Sequence, residues 1–318
     1  MTLRDLYNFS IERGLALDPR GEDAIRQGMA DLATEYAGLT GKAQALFDAE
    51  RLSNPFGDTR ILCGDLDTEV RRLVCGINIA GPELLMADRL ADKGRPVDLV
   101  VGHHASAPGG VGSRRDTIWP QVKMLSDFGL PAHLAHKLVT RGAQGGPERP
   151  FDPTIMQVAA ALGMPFMTIH SPADVYLLTD SARLLADEQP RTLADLVEIT
   201  DAWPEVQWTM QRGKGTEIAV GDPKDPVGKV YACFYGGWNP TPEVFEALCD
   251  AGCGTLWVVD TSAELNEVAR KRNVSIVVIP HCPADNYGIN RLFDDAMDRF
   301  GDFDVVECSS YTRTDRRL

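Results

Sequence analysis

Positively charged residues are scarce in this sequence of 318 residues, and no segment is basic enough to suggest that it binds a polyanion. Lysine and arginine together number 32 against 46 aspartates and glutamates, which leaves a formal net charge of -14. Nucleic acids and anionic membrane surfaces would repel such a chain at long range. The charge instead suits cation binding or simple solubility.

Two further absences bound the class of protein. The seven cysteines are odd in number and contain no C-x-x-C pair, which indicates reduced thiols rather than a disulfide framework. No apolar run approaches the length of a membrane span, and the opening MTLRDLYNFS is not a basic-then-apolar leader. We therefore expect a cytoplasmic globular protein with no membrane partner and no nucleic-acid partner.

Alternating strand and helix patterns follow an N-terminal segment that is predicted to be helical. Strands are predicted over 70–80, 97–101, 164–169, 229–237, 255–260 and 274–280, and helices over 82–94, 151–163, 241–252 and 261–273. The helix over 261–273 is expected to open with a capping box of Thr261 and Glu264. Strand–helix–strand order implies parallel pairing, so the predicted fold class is α/β.

Composition shifts divide the chain into four predicted segments. These are a helical N-terminal extension (1–53), a first α/β lobe (54–184), a polar, proline-punctuated connecting segment (185–228) and a second α/β lobe that packs back on the first (229–318).

Histidine is rare, with six in the chain, yet three predicted strands run directly into one. His103 and His104 follow the strand over 97–101, His170 follows the next strand, and His281 follows the last one. Ligands bind in open parallel sheets beyond the carboxyl ends of the strands. The sequence therefore predicts that these histidines meet at one site.

The motif H-x-P-A-D occurs twice, at 170–174 and at 281–285. Proline after a strand cannot extend the ladder and favours the first turn of a helix or a tight turn. The aspartate four residues later should turn back toward the histidine, so each copy would offer one imidazole and one carboxylate. Those groups suit zinc, iron, manganese or nickel.

The adjacent pair His103-His104 differs from the H-x-P-A-D motifs. Neighbouring side chains on an extended segment diverge, so these two rings are ill placed to chelate one ion. They could serve two ions roughly 3.5–4 Å apart, as in two-metal hydrolytic sites. Taken singly, each histidine is better interpreted as a hydrogen-bonded structural residue and each H-x-P-A-D as a capped turn. Four histidines at three strand ends, with two matched aspartates, favour a metal site. His133 and His136 are spaced for one helical face and are interpreted as surface or packing residues.

A glycine-rich segment, PGGVGSRRD (108–116), follows the histidine pair. Its amides and Arg114 or Arg115 could hold a phosphate or carboxylate, and a solvated loop is the alternative. The segment matches no Walker motif and no dinucleotide fingerprint.

Together, DLVVGHHASAP, HSPAD and HCPAD resemble the NIF-three-like family, whose members are often labelled dinuclear metal centre proteins or GTP cyclohydrolase type-two homologues. NPFGDTRILCGD and KVYACFYGG are similar to two other stretches of that family. The resemblance implies two interlinked α/β lobes with a metal site in the cleft between them, and assembly into homo-oligomers, commonly ring-like hexamers. The metal ligands it implies are His103, His104, Asp174, His281 and Asp285, with His170 beside them as a further ligand or a supporting residue. Asp285 stands where the family usually has glutamate, so bridging two ions would require a closer approach of the backbone.

The function predicted from this set is that of a metal-dependent hydrolase with two divalent first-row ions, zinc, iron or manganese. Such ions would activate water against a phosphoryl or nucleotide-like, small anionic substrate. The sequence identifies no catalytic residue. The alternatives are a non-enzymatic metal-binding, metal-delivery or scaffold protein, and a metal-free protein whose histidines are structural.

Overall fold

The structure, a computed structural model, describes residues 1–105, 113–145 and 153–317, without the side chains of 105–118 and 143–152. Within these ranges the helices are α1 (Leu3–Leu17), α2 (Glu22–Gly38), α3 (Gly41–Ala45), α4 (Gly81–Asp92), α5 (Ser113–Phe128), α6 (Ala132–Gly145), α7 (Thr154–Leu162), α8 (Ser171–Glu188), α9 (Leu193–Asp201), α10 (Pro204–Met210), α11 (Pro242–Asp250), α12 (Ala263–Arg272) and α13 (His281–Phe300), with a 3-10 turn at Ala49–Leu52.

The described strands form two sheets. They are β1 (Ile61–Cys63), β2 (Arg72–Ile79), β3 (Leu99–Ala105), β4 (Phe166–Thr168), β5 (Glu217–Val220), β6 (Lys229–Cys233), β7 (Cys253–Val258), β8 (Ser275–Val278) and β9 (Asp304–Cys308). The first sheet has the order β1-β4-β3-β2-β9 and the second has the order β5-β8-β7-β6. Only the edge strands β1 and β5 pair antiparallel, and the other pairs are parallel. The predicted α/β class with largely parallel sheets is confirmed.

Three strands lie where the sequence predicted none, and the first of them is β1, which pairs antiparallel with β4. β5 comes from the segment expected to connect the lobes, and it extends the second sheet beside β8. β9 comes from the last residues of the chain and extends the first sheet beside β2. The segment 185–228 also contains α9 and α10, so it is a folded part of the structure. The segment boundaries themselves stay a prediction.

Helices α8 and α13, which follow the two H-x-P-A-D histidines, contact the cores of both sheets. On α13, Leu292 and Phe293 belong to the apolar cluster that contains Leu73 of β2, whereas Ala284 belongs to the cluster that contains Trp257 of β7. A helix with apolar residues on two faces is buried on both. These two helices therefore link the sheets, as the interlinked-lobe prediction requires.

One cap differs from its prediction. Helix α12 begins after Ser262, whose hydroxyl accepts a hydrogen bond from the backbone N–H of Leu265, so Ser262 and not Thr261 is the N-cap. The hydroxyl of Thr261 instead contacts Asn266. Both residue types cap helices well, so the sequence alone did not distinguish the two positions.

Among the described helices, none has the length and apolar content needed to cross a bilayer.

Candidate metal centre

Parallel strands deliver the four histidines to one edge of the fold. His103 and His104 lie near the C-terminal end of β3, His170 is the N-cap of α8 two positions after β4, and His281 is the first residue of α13 after β8. The ring centroids of His103 and His170 are 4.4 Å apart, and those of His104 and His281 are 5.2 Å apart. The strand ends therefore meet as the sequence predicted.

His103 is the most deeply buried member of this group, with 2% of its surface exposed. Its Nδ1 donates a hydrogen bond to the backbone carbonyl of Ile169 over 2.9 Å, which leaves the lone pair on Nε2. That Nε2 is buried and has no hydrogen-bond partner. It lies 3.4 Å from Oδ1 of Asp174 and 3.6 Å from Oδ1 of Asp285. An unpaired buried lone pair beside two carboxylates is the arrangement expected of a metal ligand.

Asp285 faces histidines with both of its carboxylate oxygens. Oδ1 faces His103, whereas Oδ2 lies 3.8 Å from Nε2 of His104 and 3.7 Å from Nε2 of His281. Oδ2 is buried and has no hydrogen-bond partner. In spite of its shorter side chain, this aspartate thus reaches both sides of the histidine group.

His170 is oriented by a residue that the sequence analysis did not identify. Its Nδ1 donates a hydrogen bond to Oδ2 of Asp58 over 3.0 Å, and the same oxygen accepts a 2.6 Å hydrogen bond from the hydroxyl of Ser171. A carboxylate behind a histidine fixes the tautomer and the ring orientation of a metal ligand. The signal in the sequence was NPFGD, which was noted only as part of a stretch similar to one in the NIF-three-like family.

His281 has a similar partner. Its Nδ1 lies 2.7 Å from Oδ2 of Asp260, which lies two positions after the end of β7. Asp260 was also missed, because an aspartate after a strand has no spacing motif that relates it to a histidine some twenty residues later.

Asp174 is held by the chain segment after β6. Its Oδ2 accepts a 2.7 Å hydrogen bond from the backbone N–H of Gly236. The next residue, Gly237, has a φ of 59°, and a Cβ there would come 3.4 Å from the ring of His170. The pair of glycines lets the backbone turn closely around the carboxylate and the imidazole.

The residues present fit a metal ion. Two sets of three ligand atoms lie within 4.8 Å of one another, one from His103, His104 and His170 and one from His104, His281 and Asp285. Two ligands bound tetrahedrally at roughly 2.1 Å are about 3.4 Å apart, close to the separations found here. The expectation that His103 and His104 diverge too far to serve one ion is wrong, since both contribute to the first set. Buried histidine and aspartate groups here can hold a metal ion.

The charges of the site also suit a cation. Burial and the neighbouring His103 lower the pKa of His104 to about 3, so its imidazole is neutral and free to bind. Burial disfavours the charged form of His170 as well, but Asp174 and Asp58 outweigh it and raise its pKa to about 10. Asp174 and Asp58 therefore favour a positive charge at this position, which a proton on His170 supplies when no ion is bound.

The cleft in front of these residues has a mixed apolar and polar lining. Leu177, Phe234, Trp238 and Val259 contribute apolar side chains, and the polar ones include His104, His170, Asp174, His281 and Asp285. Among the described residues that line it, none is a lysine or an arginine.

The remaining residues named by the sequence analysis are two arginines and two histidines. The segment 108–112 and the side chains of Arg114 and Arg115 lie outside the described part of the chain, although the backbone of both arginines belongs to the first turn of α5. His133 and His136 are exposed on α6, in agreement with a surface role.

Comparison with known proteins identifies the fold. No protein-family model matches the sequence, and no curated protein matches it. Solved structures do match: a NIF3 superfamily protein from Sphaerobacter thermophilus has a TM-score of 0.65 at 24% sequence identity, covering 89% of this chain and 98% of that one.

The chain has the NIF3 superfamily fold.

Reduced HcgD from Methanocaldococcus jannaschii matches more distantly, with a TM-score of 0.51 at 13% identity, over 87% of this chain and 96% of that one. The resemblance inferred from the histidine motifs is therefore confirmed at the level of the fold.

Proposed function

We propose that this NIF3-like protein is a metal-dependent hydrolase that acts on a phosphoryl or nucleotide-like substrate with two divalent first-row ions, zinc, iron or manganese. The proposed ligands are His103, His104, Asp174, His281 and Asp285, with His170 as a further ligand. The observation that carries the proposal is the position of Asp285, whose two oxygens face different histidines.

The side chains have distinct tasks in this proposal. When bound, a divalent ion lowers the pKa of water and polarises a phosphoryl or carbonyl oxygen. His103 offers Nε2 because its Nδ1 is occupied by the carbonyl of Ile169. Asp58 and Asp260 hold the rings of His170 and His281 by their Nδ1 atoms, which leaves Nε2 of each ring to bind an ion, and Nε2 of His281 faces Asp285.

An open cleft favours a hydrolase over a closed structural site. The side chains of His104 and His281 are 29% and 35% exposed, so water and substrate can approach them. Structural metal sites are closed, whereas catalytic sites keep a position for water. The non-enzymatic alternative, metal binding or delivery, predicts the same ions without turnover.

Because the described lining of the cleft contains no lysine or arginine, an anionic group would depend on the bound ions. We assign Arg114 or Arg115 as an additional contact of the anionic substrate group, because both follow the histidine pair in the sequence.

The test is turnover by purified, metal-reconstituted protein against nucleotides, phosphoesters and amides. We expect metal-dependent hydrolysis that falls at least about 100-fold in His104→Ala, since one bound ligand is lost. His133→Ala, an exposed histidine on α6, is the matched control and should retain full activity. Turnover unchanged in His104→Ala would remove the proposed chemistry, and full metal content without turnover would favour the non-enzymatic alternative.

We also propose a homo-oligomer, with a hexamer as the expected state. Light scattering on the full-length protein tests it, and a monomer at working concentration would contradict it.

A further inference from the structure

One wall of the cleft is formed by the chain segment that follows β6. Residues 234–239, which we call the cleft loop, contribute to the lining Phe234, Tyr235, Gly237, Trp238 and Asn239. Phe234 is buried and packs edge-on against Trp257, with the ring centroids 5.1 Å apart, so its side chain belongs to the core. Trp238 is half-buried and Asn239 is exposed. These two side chains therefore keep surface that a ligand can cover.

The backbone of the cleft loop is fixed from several sides. The hydroxyl of Tyr235 donates a 2.8 Å hydrogen bond to Oδ2 of the buried Asp18, and its carbonyl accepts a 2.8 Å hydrogen bond from Nε2 of the buried Gln121. The carbonyl of Trp238 accepts a 3.1 Å hydrogen bond from Sγ of Cys233. An aromatic side chain on a fixed backbone loses little conformational entropy when a ligand binds. Trp238 is thus a pre-organised aromatic surface at the cleft.

The charge of the cleft restricts what lies against this loop. The described lining contains three aspartates and no lysine or arginine, and the whole chain carries a net charge of -14. Leu177 and Val259 add apolar surface to the same lining. A negatively charged ring would be repelled there, whereas a neutral ring suits the apolar surface. The group that is hydrolysed can still be anionic, because the proposed ions would hold it.

We propose that the cleft loop recognises an uncharged planar heterocycle with an amide edge, which stacks on Trp238 and pairs with the side-chain amide of Asn239. A flat ring stacks on an indole through its face, whatever substituents it carries at its edge. The amide of Asn239 offers both a donor and an acceptor, which match the N–H and the carbonyl of a cyclic amide. The inference rests on the proposed function in taking this cleft as the substrate site, but it requires no turnover.

The experiment measures binding to full-length, metal-loaded protein by titration calorimetry with three neutral probes. Isocarbostyril is a planar bicyclic amide, N-methylisocarbostyril lacks the N–H of its edge, and the ring-saturated analogue keeps the amide but is not flat. We expect isocarbostyril to bind at least about 10-fold more tightly than either of the other two probes. In Trp238→Ala its affinity should fall about 10–100-fold, as expected when the ring under a stacked base is removed.

Matched variants separate recognition from folding. Trp208→Ala removes a tryptophan that is 36% exposed and is not among the described lining residues, so it should not change the affinity. Trp238→Phe should retain part of the affinity, since phenylalanine also stacks. Asn239→Ala should abolish the preference for isocarbostyril over its N-methyl derivative. Thermal unfolding shows whether Trp238→Ala folds, and if it does not, Asn239→Ala decides the proposal.

Charge is tested on protein stripped with a chelator, so that no ion attracts an anion. In that state a carboxylated isocarbostyril should bind more weakly than isocarbostyril itself, and equal or tighter binding would contradict a neutral ligand. Equal affinities for the planar and saturated probes, no binding of isocarbostyril, or unchanged binding by Trp238→Ala would overturn the inference without touching the proposed hydrolysis. Ring binding that depends on Trp238, without turnover of any substrate, would contradict only the proposed activity.

Discussion

Gly288 of α13 packs against the backbone of Ala173 in α8 so closely that a Cβ on Gly288 would overlap the carbonyl oxygen of Ala173. Asp174 is the next residue after Ala173, and Asp285 lies almost one helical turn before Gly288. The contact therefore sets how near the two carboxylates of the site come to each other. This close contact gives a physical reason why Asp285 reaches His103 with one oxygen and His104 and His281 with the other, despite its short side chain.

Replacing Gly288 by alanine should force the two helices apart. We expect Gly288→Ala to reduce the free energy of unfolding by about 1–3 kcal/mol, because overpacking strains the backbone of both helices. It should also lower the metal content of dialysed protein, since Asp285 moves with α13. Urea unfolding in chelator and elemental analysis measure the two effects.

Gly28 supplies a matched control for that substitution. It lies within α2 and a Cβ there would meet nothing within 4 Å. Gly28→Ala should therefore stabilise the protein, by about 0.5–1 kcal/mol, and leave the metal content unchanged. A loss of stability of equal size in both variants would contradict the steric explanation.

Asp285 itself should determine how many ions bind. Asp285→Asn keeps the shape of the side chain but removes the charge that both histidine groups face, so we expect at least one fewer ion per chain. Asp298→Asn removes an exposed aspartate from the same helix and should have no effect on metal content. Elemental analysis of protein purified without a nickel column checks both variants. Two ions retained by Asp285→Asn would show that this residue does not bridge them.

Metal removal should destabilise the fold, because Asp174 and Asp285 are both buried beside Nε2 of His103 and lose the cation that offsets their repulsion. An ion at about 100 times its dissociation constant adds about 2.7 kcal/mol to the free energy of unfolding. At roughly 2–4 °C per kcal/mol, the unfolding temperature should rise by several degrees on reloading. Calorimetry with and without chelator measures the shift, which should shrink in His103→Ala and persist in His136→Ala.

The parts of the fold that the sequence predicted correctly are those with a strong local signal. β2, β3, β7 and β8 are continuous apolar runs buried in the sheets, and each was predicted from that pattern. β9 has only exposed and half-buried residues, without a strict alternation, at an edge of the first sheet, so its pattern did not distinguish it from a loop. β5, at an edge of the second sheet, likewise has no fully buried residue.

The residues of the site were also predicted only where the local sequence carries a signal. The histidines were predicted to meet because strand ends of a parallel sheet share one edge, which requires only local information. Asp58 reaches His170 across 112 positions through the pairing of β1 with β4, and no short motif encodes that distance. Asp260 depends on β7 and β8 being neighbours. The carboxylates behind the ligands were therefore visible only in the structure.

An ion pair between the buried Glu205 and Arg316 lies against α13, away from the histidine motifs. The side chain of Glu205, on α10, is fully buried and accepts hydrogen bonds from Arg316 near the C-terminus and from Asn290 of α13. The guanidinium of Arg316 also lies over the ring of Tyr287, 4.1 Å from its centroid. Arg316 thus joins α10 and α13 through its ion pair with the fully buried carboxylate of Glu205.

Removing only the cation of this pair should be costly. Arg316→Met leaves Glu205 charged and buried with Asn290 as its remaining partner, so we expect a loss of about 3–5 kcal/mol in urea unfolding. Arg317→Met is the control, since the carboxylates around Arg317 are exposed and such pairs contribute about 0–1 kcal/mol. Adding Glu205→Gln to Arg316→Met should recover part of the loss, because the uncompensated charge is then gone. If the double variant is less stable than Arg316→Met alone, the cost comes from lost packing around Tyr287 and not from the buried charge.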